Sequence, residues 1–380
     1  MKGTTIRTAF VSTNSITQGE QVASVWKLLY ERFGIHIDFA HKTFRWDSEA
    51  SLKAHVHCVI VGFSVAINNK PRRIYMDERY QEVENINAYL IDAPTVFIES
   101  RTKQLCNVPS MIYGNKPTDG GFLFLSSEER ENVLKQEPEI EKYIKQIYGA
   151  AEYINNKLRY CLWLDKANPT EIRKSKFIME RVENVKQFRL ASSKEATRRS
   201  ANTPTLFQEI RHPDTEYIII PCHSSENRRY IPFGFVSPDI VVNNAVQIIP
   251  NAQLYHFGVL TSNVHMAWVR AVCGRIKSDY RYSKDIVYNN FPWCNPTQEQ
   301  KHKIEQTAQE ILDARRKYPN CSLADLYDEL TMPSELRKAH QNNDRAVMQA
   351  YGFNIKTTTE SSCVAELMKM YQEFIREEGN

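Results

Sequence analysis

The segment Gly274-Arg-Ile-Lys-Ser-Asp-Tyr-Arg-Tyr-Ser283 concentrates charge at alternate positions. In an extended strand, Arg275, Lys277, Asp279 and Arg281 would share one face, with Ile276, Tyr280 and Tyr282 on the other. A lysine can donate to guanine O6 and N7, and an aspartate can accept from the cytosine amino group of the same pair. Lys277 and Asp279 therefore suit one G·C pair read by a ribbon in a major groove. The alternative is an exposed ion pair between the two, worth under ~1 kcal/mol. A second cluster, Ser224, Ser225, Asn227, Arg228, Arg229 and Tyr230, follows the apolar run Tyr217-Ile-Ile-Ile-Pro221. Hydroxyls, an amide and two guanidiniums on one turn would make a clamp for phosphate, which fixes register without reading sequence. Equally, these arginines could pair with local acids such as Glu226. Arg189, Ser192, Ser193, Arg198 and Arg199 form a further stretch of backbone-binding composition.

Other chemistry is missing from the sequence. There is no Gly-rich turn after a strand, no Walker phosphate loop and no Gly-x-Ser-x-Gly elbow. His55 and His57 stand two apart, but no third ligand follows at useful spacing, which favours structural histidines over a metal site. The Pro-Asp pairs at 213–214 and 238–239 lack the Glu-x-Lys of a nuclease motif and are expected to be turns.

The positioning elements can be traced from periodicity. Residues 8–13 predict a buried strand. Thr17 and Glu20 have the spacing of a capping box, followed by the helical stripe Val22, Val25, Trp26, Leu29 and Phe33. Residues 35–39 alternate as a strand. Residues 56–63 are almost continuously apolar, as in a strand covered on both faces. A helix is expected near 127–148, and another over 263–273 beneath the charged segment. The end of the chain predicts four helices. Thr297 and Ser322 begin two of them, Pro333 opens the third, Gly352 stops it, and the last spans about 361–376.

The chain has 380 residues with 49 Lys+Arg and 45 Asp+Glu, so net charge is only +4. Its distribution carries more information. Residues 157–229 hold 15 basic and 9 acidic side chains, whereas residues 77–156 hold 8 and 14. A basic centre with interleaved aromatics is the footprint of a nucleic-acid surface, though ordinary clustering on a solvated face gives similar counts. The eight cysteines include no Cys-x-x-Cys, which leads us to expect a reduced, cytoplasmic protein. Neither a secretory signal nor a membrane span is legible.

Several blocks resemble one family, the MmeI-type single-chain restriction–modification enzymes. They are Phe10-Val-Ser-Thr-Asn-Ser-Ile-Thr-Gln-Gly-Glu20, Phe39-Ala-His-Lys-Thr-Phe-Arg-Trp46, Val61-Gly-Phe63 and Arg159-Tyr-Cys-Leu-Trp-Leu164. The likeness continues through 220–235, 265–270, 274–283 and 288–293, then 323–328, 331–340 and 350–353. These blocks cover most of the chain in the family's order. The resemblance implies a mixed α/β (α+β overall) chain. Residues 1–66 would be the C-terminal strands of an incomplete methyltransferase domain and 67–156 an acidic connector. Residues 157–296 would be a DNA target-recognition domain and 297–380 a helical tail. In that family the catalytic Asn-Pro-Pro-aromatic loop and the cofactor glycines precede the block that opens this chain.

The implied function is sequence-specific duplex DNA binding, as the recognition part of a type II enzyme that methylates adenine N6. The parent would use S-adenosylmethionine, and magnesium for its nuclease, with neither expected to bind this chain tightly. The implied partners are double-stranded DNA and the N-terminal catalytic part of the same polypeptide, with no membrane. Lys277 and Asp279 take the base-reading role by this resemblance. Phe44 and Trp46 match a stretch that, in related methyltransferases, stacks on the flipped adenine; both could instead pack a loop. Two alternatives stay open: a free-standing specificity subunit and an RNA-methyltransferase accessory domain.

Overall fold

A computed structural model describes residues 4–47, 55–66 and 70–378. The first sheet contains β1 (Arg7–Thr13), β2 (His36–Asp47), β3 (His55–Ser64), β4 (Arg72–Met76) and β5 (Arg79–Val83), in the order β1-β3-β2-β4-β5. β3 lies antiparallel between β1 and β2, while β2 and β4 run parallel. A helix over residues 20–33 crosses one face. Its apolar stripe buries Val22 and Trp26 completely, with the Trp26 ring edge-on to Phe63 at 5.8 Å. Each such side chain contributes roughly 1.5–3 kcal/mol by leaving water. The expected capping box does not form. Asn14–Thr17 makes a tight turn in which the Thr17 hydroxyl donates to the Asn14 carbonyl, and Gly19 precedes the helix instead. A wide π turn at Ala23–Lys27 follows; Val25 and Leu29 still pack against the core, while Phe33, the last residue of the expected stripe, finishes exposed.

The pleat distributes β3 unevenly. Val59, Val61 and Phe63 face the helix and are buried. On the other face Val11 is 60% exposed and Val56 also reaches solvent, so β3 is not covered on both sides as its apolar run predicts.

The acidic stretch 77–156 does not stand apart. Ile112–Tyr113 joins a four-stranded sheet with Val246–Pro250, Tyr217–Pro221 and Gly234–Val236. Phe124–Leu125 and Ile144–Tyr148 join another with Tyr160–Leu162 and Val241–Val242. The helix expected to reach residue 148 ends at Gln136, because Pro138 cannot continue its hydrogen-bond ladder, and Ile144–Tyr148 is a strand.

The tail is helical, as its caps predict. Thr297 and Ser322 each form a capping box, before Gln298–Arg316 and Leu323–Leu326. Gly352, with φ +72°, terminates Ser334–Ala350, and Glu360–Glu378 closes the chain. One apolar cluster links the first sheet to the tail, from Trp26 and Val61 through Trp268 and Phe291 to Val347 and Leu367. Polar contacts lock the tail in place. The Tyr230 hydroxyl donates to Asp344 at 2.6 Å, and the Asn343 amide donates to the Gly258 carbonyl at 2.7 Å.

Candidate nucleic-acid interface

The charged segment is a hairpin, not one extended strand. Gly274–Ile276 pairs antiparallel with Asp279–Arg281, leaving Lys277 and Ser278 as a two-residue turn. Such turns need positive φ to match strand twist, and Lys277 adopts φ +58°. A side chain there costs roughly 1–2 kcal/mol relative to glycine. Reversal of the chain breaks the expected alternation. Arg275 is the cross-strand partner of Tyr280 and lies over its ring at 4.5 Å, on the inner side. Asp279 and Arg281 are exposed on the outer side together with Ile276, and Lys277 occupies the tip. The four charged residues therefore do not share a face; Arg275 leaves the set and Ile276 enters it.

This hairpin is held rigidly. His223–Ser224 adds a third strand beside Asp279–Arg281. Tyr280 and Tyr282 are buried against the helix Asn263–Val272, where the Tyr282 hydroxyl meets His265 Nε2 at 3.0 Å. Burial pushes the His265 pKa down to about 3, so this ring is a neutral packing element rather than a general base. Gln247 clamps the far end, donating to the Tyr282 carbonyl and accepting from Lys284 N–H, each at 2.8 Å. One Asp279 oxygen accepts from Glu226 N–H at 3.1 Å, and the residue stays exposed.

The turn after Tyr217–Pro221 lies beside the hairpin. Ser224 is buried and Ser225 shapes the turn, its hydroxyl accepting from Asn227 N–H. Arg228 reaches the Ser224 hydroxyl at 3.4 Å; burial works against its charge, while Asp279 and Asp328 support it. Arg229 is exposed and lies over Tyr230.

Arg189 must be withdrawn from any DNA-contacting role. It is fully buried, and its guanidinium donates to the carbonyls of Pro117, Thr118, Ser200, Thr203 and Leu206. Arg198 similarly caps the carbonyls of Ser192 and Ser193 at 2.8 and 2.7 Å, and Arg199 pairs with Glu195 at 2.5 Å. The helix carrying Arg189 packs into a second apolar cluster, with Leu123, Ile178 and Val185, whereas the hairpin belongs to the first.

Phe44 and Trp46 project together from the end of β2, ring centroids 6.3 Å apart, with Trp46 53% exposed. Their cross-strand partners are Cys58 and Val56. Arg45 and His57 form the intervening pair, and His57 lines a cavity that the sequence does not announce. Lys42 and Arg270 also line that cavity. The stretch expected as a loop after residue 39 instead continues β2 to Asp47, which is what carries Lys42, Phe44 and Trp46 on a strand. His55 lies outside the residues whose side chains are described. Among the described residues no three histidine, cysteine or acidic side chains gather as a metal site, and no helix is long and apolar enough to cross a membrane.

Three family models match the chain in succession: the MmeI DNA-methyltransferase domain over residues 1–76, the MmeI target recognition domain over 92–295, and the MmeI C-terminal domain over 296–377. DNA methyltransferase A of Bacillus subtilis (strain 168) is 40% identical over 371 residues, 97% of this chain and 42% of that protein. The solved structure of the Type IIL restriction-modification enzyme MmeI in complex with DNA has a TM-score of 0.92 at 47% identity, covering 99% of this chain and 50% of the other. The chain thus spans about half the length of the proteins it matches.

Proposed function

As the chain belongs to the MmeI family, we propose that it binds duplex DNA at a specific sequence through the outer face of the 274–281 hairpin. The observation that carries this reading is the hairpin itself. A donor at its tip, Lys277, and the carboxylate of Asp279 are both exposed on a ribbon fixed from behind by Tyr280, Tyr282 and His265. Groups so arranged can enter a major groove without reorganising, and a lysine kept at positive φ is a strained position that a functional side chain would justify. Arg281 extends the same face, and Arg228 and Arg229 flank it as backbone contacts.

We further propose that this reading positions an adenine for N6 methylation within a type II restriction–modification system. β1 is an edge strand, and Val11 on it is exposed. That edge suits further strands of a methyltransferase sheet, which would also cover Phe44 and Trp46 or bring one of them to the flipped base. S-adenosylmethionine would be the methyl donor. Gly62, the glycine within the described strands of this sheet, is overlaid by the Phe39 ring and gives the cofactor no cradle. No step through the cofactor is therefore assigned to this chain.

The test is enrichment of a randomised duplex pool on the purified chain, followed by sequencing. A short asymmetric consensus containing an adenine is expected. A bound pool as random as the input, or preference for RNA over duplex DNA at matched salt, would overturn the reading.

A further inference from the structure

Where the first sheet, the hairpin and the last helix meet, the chain leaves a cavity of about 300 Å³. Lys42 and His57 enter it from the sheet, Arg270 and Arg275 from the recognition side, and Glu226 and Glu360 complete its charges. Arg270 pairs with Glu360 at 2.7 Å, and Arg275 lies 3.9 Å from Glu226. Those two pairs balance, and the Lys42 ammonium is left over. Among the described residues no hydrogen bond or ion pair holds it. The carboxylate that influences it, Glu360, is already engaged by Arg270. Lys42 is half-buried, and that burial pushes its pKa down while Glu360 acts against the shift.

Its placement has an independent structural cause. The register of β2 against β3 slips between His41 and Phe44, and irregularities of this kind re-aim side chains. At this slip Lys42 turns into the cavity, which the hydroxyl-bearing residues Thr43, Ser278 and Ser361 also line.

We propose that the cavity receives one phosphate of the bound DNA strand, with Lys42 as its counter-charge. The site carries one uncompensated positive charge and is rimmed by hydroxyls, which matches a singly charged phosphodiester with free acceptor oxygens. It is built jointly by the sheet and the recognition segment, so one phosphate there ties both to the same strand. That contact sets how far the base read by the hairpin lies from the base presented at the sheet. The inference rests on duplex binding as proposed above.

The experiment measures affinity for a fixed duplex between 50 and 200 mM salt, for the parent chain, Lys42→Gln, Lys42→Met and Lys42→Arg. Loss of one phosphate contact lowers the slope of log affinity against log salt by about 0.9. That decrease is expected for Lys42→Gln and Lys42→Met, with the slope kept in Lys42→Arg and all thermal midpoints at or above the parent's. An unchanged slope in both neutral variants, with the parent binding normally, overturns the phosphate site and leaves duplex binding standing. A parent chain that binds no duplex overturns both. Inorganic phosphate that raises the thermal midpoint of the parent but not of Lys42→Gln, with equal duplex slopes, reassigns the cavity to free phosphate and overturns the DNA contact.

Discussion

Gly19 and Gly274 meet backbone to backbone: a Cβ on Gly19 would fall 3.0 Å from Gly274 Cα, and Gly19 N–H donates to the Val272 carbonyl at 3.2 Å. The loop that follows β1 is thereby fitted against the base of the recognition hairpin with no side chain between them. Gly19 also holds φ +56° and ψ −145°, a region that other residues scarcely enter.

Gly19→Ala should therefore destabilise the chain by about 1–3 kcal/mol from backbone conformation alone, before any displacement of the hairpin. Urea unfolding checks the magnitude. Hydrogen exchange at residues 274–281 checks the coupling, since faster exchange there is expected even though the substitution lies on the other side of the contact. Unchanged exchange would mean that the two glycines merely touch.

Lys277 and Arg228 should fail in different ways. Lys277→Ala removes a donor from the hairpin tip and should relax preference at one base pair, by about 1–3 kcal/mol. Arg228→Ala should weaken every duplex alike and lower the salt slope by about one contact. Competition binding with single-position variants of a selected site separates these outcomes. Equal loss on selected and random duplex from Lys277→Ala would remove the base-reading assignment.

Arg189→Ala should behave as a folding variant. Five carbonyls around its buried guanidinium would lose their donor, and an unsatisfied buried polar group costs about 1–3 kcal/mol. A fall of at least that size in chemical unfolding is expected. The salt slope of duplex binding should stay unchanged under conditions where the variant is folded.

What could be read from the sequence follows from which forces act locally. The helix starts at Thr297 and Ser322 were legible because a cap is a contact between residues three apart. Burial of Tyr280 and Tyr282 was legible because the strand period survives on that side of the turn. The turn itself was hidden: Lys277-Ser278 carries neither asparagine nor glycine, the residues that usually mark a two-residue hairpin. Arg189 was misjudged because its acceptors come from segments near 117, 200 and 206, which only tertiary folding gathers. Lys42 was missed for the same reason. A slip in strand register aims it, and no local pattern announces such a slip.

Asp344 gives a pH-dependent signature of the lock between tail and recognition segment. It is buried, accepting from the Tyr230 hydroxyl and from Asn263 N–H at 2.6 and 2.8 Å, and burial raises its pKa from 3.8 to about 6. Arg229 and Arg270 act against that rise, as do its two hydrogen bonds. A carboxyl with a raised native pKa holds more protons folded than unfolded across this interval. Its contribution to stability is therefore fully present below about pH 4 and is lost as pH climbs through about 6. Asp344→Asn cannot ionise, so the stability of the parent relative to this variant should fall between those pH values and level off above them. Chemical unfolding of both proteins at several pH values from 4 to 8 measures the difference, in which the titrations of His265 and His340 cancel. A difference that rises with pH would show that the hydrogen bonds to Asp344 outweigh its burial.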